Sequence, residues 1–221
     1  MAREKEGTAS MNPLEPPWSA LLLGGISGTG KSTVARQLGL RFGIPWLQVA
    51  LFRLAFQHSH ATLPRGNDDL SLFWNVPDVW TRPPERLRDA LIGTGEAMSP
   101  AVEIIAASQV DHAGPAIFEG DCILPSLSKY PLLRKRVATG QVALAFLIEP
   151  DEGVLLGTLL ARGRGMETRR PAEQRTEARA KWLFGQWLVA EAHRYGLPVL
   201  APQPWGTLAE RIVAATSLPP A

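Results

Sequence analysis

Residues Gly25-Ile26-Ser27-Gly28-Thr29-Gly30-Lys31-Ser32 read G-x-x-x-x-G-K-S, the spacing of a phosphate-binding P-loop. Each position has a chemical task. Gly25, Gly28 and Gly30, with Ser27 and Thr29 between them, let the backbone curl so that its N–H groups point inward at phosphate oxygens. The Lys31 ammonium reaches between two phosphates, and the Ser32 hydroxyl suits the shell of a Mg²⁺ ion. Lys31, Ser32 and Thr33 open the next helix, whose positive N-terminus faces the same anion.

A second group of residues supplies acid. The stretch Ile117-Phe118-Glu119-Gly120-Asp121 is an apolar run ending in carboxylates, the Walker B pattern in which an acid holds Mg²⁺. Glu119 is the first candidate, with Ser32, for the metal, and Asp121 is the second acid. A third group is basic. Arg162, Arg164, Arg169 and Arg170 lie around Gly163, Gly165 and Pro171, on a connector between two helices. Arginines on such a connector can close over a triphosphate as a lid and neutralise charge during transfer, with Arg162 and Arg164 the first candidates. Arg175 and Arg179 share a helix face, where Glu173 and Glu177 offer them surface partners. His58 and His60 lack the further Cys or His that a zinc site needs. His112 and His193 read as helix-end residues. Trp182 and Trp187 read as core. Trp205 suits either packing or stacking on a base.

The elements that must hold these groups alternate between apolar strands and helical patterns, which predicts a parallel sheet with crossover helices. Strands are expected at 19–24, 46–49, 116–118, 142–148 and 198–200. Helices are expected at 31–42, 84–110, 151–161, 172–195 and 207–215. Pro100 is expected to kink or restart the long second helix. Residues 50–83 carry His58, His60, Asp68, Asp69, Trp74, Trp80 and Arg82 among turn residues, and show no clear period. Lying after the second strand, this segment belongs over the carboxyl ends of the strands, where open α/β sheets bind ligands.

Composition sets the outer limits. A chain of 221 residues suits one α/β domain, expected at 18–221 after a disordered leader at 1–17. The net charge of +2 gives no argument for nucleic-acid binding. Cys122 is the one cysteine, which excludes an intrachain disulfide and fits a reducing cytoplasm. No apolar run reaches membrane-spanning length.

Taken together, residues 24–33, the stretch 117–125 and the arginine-bearing connector at 162–172 resemble the 2-phosphoglycerate kinase-like branch of the small P-loop kinases, within the nucleoside- and shikimate-kinase-like superfamily. The late helix with Trp182 to Tyr195, leading into Gly196-Leu197-Pro198-Val199, is similar too. The resemblance implies a three-layer α/β/α P-loop fold with a five-stranded parallel sheet and a lid. It implies transfer of the γ-phosphoryl of Mg-ATP to a small hydroxylated acceptor. A monomer or homodimer is expected. By position, Lys31 and Ser32 serve phosphate and Mg²⁺, Glu119 takes the Walker B place, and Arg162 and Arg164 take the lid. One departure stands out. Such kinases commonly end the second strand with an aspartate facing the acceptor hydroxyl, whereas this chain reads Leu47-Gln48-Val49-Ala50-Leu51-Phe52-Arg53. Arg53 keeps a place suited to an anionic acceptor. Asp121, Asp68 and Asp69 are the acids able to stand in. The missing acid motivates a second reading, a nucleotide-binding regulatory or sensor protein on the same fold. A GTPase is a weaker third, since no N-K-x-D motif is found and Pro202-Gln203-Pro204 suits a looser adenine contact.

Overall fold

The computed structural model describes residues 15–58, 72–73, 76, 78–163 and 165–218. His60, Asp68, Asp69, Trp74 and Arg164 lie outside the described residues, as do residues 1–14 of the expected leader.

The centre of the molecule is β1 (Ala20–Gly25), in which every residue is buried. Its side chains alternate between two cores. Leu22 joins Phe118, Leu144 and Phe146 on one side of the sheet. Leu21 and Leu23 join Ile117, Ala145 and Leu147 on the other. A strand covered on both faces must be apolar on both, which is why this run lacks polar alternation. Around it stand β2 (Trp46–Gln48), β3 (Ala116–Glu119), β4 (Val142–Leu147) and β5 (Val199–Leu200). The five strands are parallel and run in the order β2-β3-β1-β4-β5.

Helices cover both faces. On one, α1 (Lys31–Phe42) contributes Val34, Leu38 and Phe42 beside Leu208 and Ile212 of the last helix (Leu208–Thr216). On the other, the helices Pro84–His112, Glu152–Arg162 and Pro171–Arg194 contribute Met98 and Val102, Leu155 and Leu159, and Phe184 and Leu188. With α2 (Val49–His58) and the short α4 (Arg134–Ala138), these are numbered in chain order as α3, α5, α6 and, for the last helix, α7. Helix α5 starts on an Asp151 cap that accepts the Val154 N–H at 2.8 Å, a bond typically worth about 1 kcal/mol.

Three expectations change. Residues 49–58, expected as a strand end and an irregular segment, form α2. Val49, Phe52 and Phe56 meet the core from one helix face, but no acidic residue marks the first turn, so the start signal is weak. Pro100 does not restart the helix: α3 runs from Pro84 to His112 with Pro100 inside it. A proline forfeits one helical bond; next to it Ser99 donates its hydroxyl to the Gly95 carbonyl at 2.8 Å. Helix α4, between β3 and β4, was not expected.

Candidate functional site

The order of strands makes β1 a switch point, with β3 on one side and β4 on the other. A crevice outside its carboxyl end is where open α/β sheets bind ligands, and the P-loop leaves β1 at that point. The loop's glycines are fixed by geometry. Gly25 has φ 129°, and a Cβ there would come within 2.1 Å of the Leu147 carbonyl oxygen. Gly30 has φ 74° and meets the Trp205 ring in the same way, at 2.3 Å.

Within the loop, Ile26 is the internal acceptor. Its carbonyl takes a hydrogen bond from Lys31 Nζ at 2.7 Å and another from the Thr29 hydroxyl at 2.8 Å. Lys31 is buried. Burial lowers its pKa below the ordinary lysine value, and the charges of Asp121 and Glu119 only partly oppose that. The Ser32 hydroxyl donates to Glu119 Oε1 at 2.7 Å. The Ser27 hydroxyl donates to Asp121 Oδ2 at 3.3 Å. The two strand-end acids thus divide their contacts: Glu119 meets Ser32, while Asp121 meets Ser27 on the opposite limb of the loop. Hydroxyl and carboxylate oxygens side by side form a donor set that suits a hard cation such as Mg²⁺.

Beyond the loop opens a cleft of about 580 Å³, lined by Lys31, Glu119 and Asp121 and by Gln48, Ala50, Arg53, Thr158 and Arg162. Ala50 and Leu51 part company here. Ala50 faces the cleft, whereas Leu51 is 60% exposed. Asp121 lies in the same cleft because β3 ends close to the start of α2: a Cβ on Gly120 would sit 3.1 Å from Val49 Cβ. Burial alone raises the Asp121 pKa, but the charges of Lys31, Arg53 and Lys181 together outweigh it and hold the carboxyl below its ordinary value. Arg53 keeps its Nε buried with no hydrogen-bond partner among the described residues. The cleft therefore combines a glycine loop with a buried ammonium, a hydroxyl–carboxylate pair and one further carboxylate ringed by cations.

The other arginines separate into two sorts. Arg162 lines the cleft. Arg169 lies over the Trp80 ring at 5.1 Å and pairs with Glu177, which also takes Lys181. Arg170 pairs with Glu173, whose carboxylate accepts the Arg170 N–H in the first turn of α6. Arg179 pairs with Glu152 of α5 at 2.7 Å and covers Trp182 at 4.6 Å. Arg175 is exposed on α6. Trp182 is not fully buried; its indole N–H donates to the Pro150 carbonyl at 2.8 Å. Two further cleft residues carry a signal in the sequence. Thr158 lies one helical turn before Arg162 and so shares its face. Gln48 ends the second strand, where a ligand-facing side chain belongs. A smaller cavity, of about 250 Å³, lies between β4, the start of β5 and the end of α7, and carries no titratable side chain.

No family model matches the chain. Among curated proteins it is similar to the 2-phosphoglycerate kinase of Methanothermobacter thermautotrophicus, 27% identical over 194 residues, covering 81% of this chain and 59% of that protein. The chain thus spans under two thirds of that relative's length. Among solved structures, a gluconokinase from Sinorhizobium meliloti 1021 superposes with TM-score 0.51 at 17% identity, covering 92% of this chain and 94% of its own. A shikimate kinase from Acinetobacter baumannii in complex with shikimate matches with TM-score 0.47 at 12% identity, covering 89% and 91%. The likeness to the gluconokinase is one of fold. The likeness of sequence is to a 2-phosphoglycerate kinase. Among the described residues, no helix is long and apolar enough to cross a membrane.

Proposed function

We propose that the chain is an ATP-dependent kinase that moves the γ-phosphoryl of ATP to a hydroxyl of a small anionic metabolite. The observation that carries this reading is the meeting of Lys31, Asp121 and Arg53 in one cleft at the mouth of the P-loop. The P-loop amides and Lys31 hold the triphosphate. Ser32 and Glu119 would hold Mg²⁺, which neutralises charge on the phosphates when bound. The acceptor hydroxyl lies against Asp121. Its oxygen forms the new bond to phosphorus as the bond from the γ-phosphorus to the bridging oxygen breaks. The proton passes to the Asp121 carboxylate and on to water, leaving ADP and a phosphate ester. Such transfer depends mainly on placement and charge stabilisation, so a weakly basic carboxylate suffices. Arg162, which lines the cleft, supplies a cation for the phosphates.

The sensor reading took its motive from the missing acid at Ala50. Asp121, lining the same cleft as Ala50, favours the kinase. Arg53 gives the acceptor its charge preference, because its guanidinium lines the cleft beside Asp121, where an acceptor anion would meet it through charge-assisted hydrogen bonds. The test is ADP formation from MgATP with anionic hydroxy acids and with neutral polyols. Anionic acceptors should be preferred. Arg53→Gln should lower kcat/KM for the best anionic acceptor by about tenfold to a hundredfold, mostly through KM. An unchanged acceptor KM in that variant contradicts the assignment.

A further inference from the structure

We propose that Glu177 is a positioning residue: its buried carboxylate joins Arg169 of the connector to Lys181 of α6 and holds the Lys181 ammonium toward the acceptor side of the cleft. This rests on the kinase reading. Glu177 is 4% exposed and takes both cations. The same two cations lie over the Trp80 ring, Arg169 at 5.1 Å and Lys181 at 5.7 Å. Trp80 belongs to the 3₁₀ turn Val79–Thr81, just before α3. Turn, connector and helix thus meet at one carboxylate.

Anchoring the connector does not explain that carboxylate. Glu173 already takes the Arg170 backbone N–H at 3.1 Å and its Nε at 2.9 Å. Gln174 donates to the Met166 carbonyl at 2.8 Å and to the Arg169 carbonyl at 3.2 Å. Nor is a buried ion group an efficient source of stability, since taking charges out of water costs about what their attraction returns. What the group supplies is charge at a fixed place. Two cations on one carboxylate leave a net positive charge beside the cleft.

Helix α6 aims that charge at the site. Residues 173, 177, 181 and 185 are four apart and form one stripe along it. The stripe begins at the connector and reaches Gly185, where a Cβ would stand 3.3 Å from Ile26 Cγ2. Ile26 is the P-loop residue whose carbonyl accepts from Lys31. Lys181, one turn before Gly185, therefore faces the loop. It does not line the cleft itself, so it acts from one layer behind. Its charge helps to hold Asp121 ionised and opposes the Lys31 ammonium. A lysine stem is flexible; Glu177 and Trp80 take that freedom away and leave the side chain 14% exposed.

Steady-state kinetics of the full chain with MgATP and its best anionic acceptor, read beside thermal unfolding, tests this. Lys181→Gln should raise the acceptor KM about threefold to tenfold and leave the MgATP KM within about twofold, because the loop amides and Lys31 meet the phosphates directly. Glu177→Gln is the discriminating variant. It removes a negative charge, so a through-space field alone would tighten an anionic acceptor. Loss of position should instead weaken it about as much as Lys181→Gln does, and the two substitutions together should add little further loss. Glu177→Asp, which keeps the carboxylate, should recover part of the affinity. A Glu177→Gln protein with an unchanged or lower acceptor KM overturns the role, as does one whose only defect is a lower thermal midpoint. An unchanged acceptor KM in Lys181→Gln overturns it whether or not the Glu177 variant folds. A wild-type chain that yields no acceptor-dependent ADP overturns the kinase reading and this role together, whereas wild-type turnover with either failed variant overturns the role alone.

Discussion

Lys31→Met should lower kcat/KM for phosphoryl transfer by at least about a thousandfold, without lowering the thermal midpoint of unfolding. The two halves of this expectation have one physical source. A buried ammonium is the strongest electrostatic aid the cleft offers to a polyphosphate, because surroundings that exclude water screen it little. Those surroundings also penalise the charge when no ligand is present, which is why the Lys31 pKa lies below its ordinary value. The folded state therefore binds this proton more weakly than the unfolded state. The cost to stability is complete below the folded pKa and disappears as the pH rises through it toward the unfolded value. At neutral pH a methionine of similar length removes that cost, and the Ile26 carbonyl keeps its bond from Thr29. Thermal unfolding of the nucleotide-free protein and steady-state kinetics check both parts. A variant with unchanged turnover, or one that is markedly less stable, contradicts the role given to Lys31.

The second large effect belongs to Asp121. Asp121→Asn should reduce kcat by about a hundredfold or more, with KM for MgATP changed little, since the group acts on the acceptor hydroxyl rather than on the nucleotide. Because neighbouring cations hold the Asp121 pKa below the ordinary carboxylate value, the carboxylate stays ionised through mildly acid conditions. Its contribution to stability is complete above the unfolded pKa of about 3.9 and is lost as the pH falls through the lower folded value. The acidic limb of the kcat profile set by this group should therefore fall below about pH 4. Asp121→Glu, which lengthens the side chain by one methylene, should recover part of the activity. A full-activity Asp121→Asn would move the base elsewhere.

Much of the scaffold could be read from residue types. β1, the P-loop and α1 are legible because a both-faces-apolar run, glycines at fixed spacing and an amphipathic helix follow one another without a gap. β4 is legible for the same reason, bounded by Gly140 and by Pro150. The start of α2 was not, because Val49, Phe52 and Phe56 form a helical stripe that continues directly from β2 without a capping signal. The site divides along similar lines. Glu119 and Asp121 were visible as a pair, but which of them meets Ser32 depends on how β3 registers against β1, where Leu23 stands opposite Glu119. The arginines of the connector look alike in sequence. Only their partners separate them, Glu177 for Arg169 and Glu173 for Arg170, just as on α6 Arg179 is set apart by Glu152 from another helix. The bonds from the Arg211 guanidinium to the Ala201, Pro202 and Pro204 carbonyls leave no sequence trace, since the acceptors are backbone groups that every residue carries.

Phosphorus NMR of MgATP with the full chain, run alone and against a panel of hydroxylated carboxylates and phosphorylated hydroxy acids, tests the kinase reading most directly. The γ-phosphorus signal of ATP should disappear at a rate set by one class of anionic acceptor, replaced in equal amount by ADP and a new phosphate-ester signal. ATP that binds yet yields no acceptor-dependent ADP from any member of the panel would contradict the kinase reading and leave the protein a nucleotide sensor.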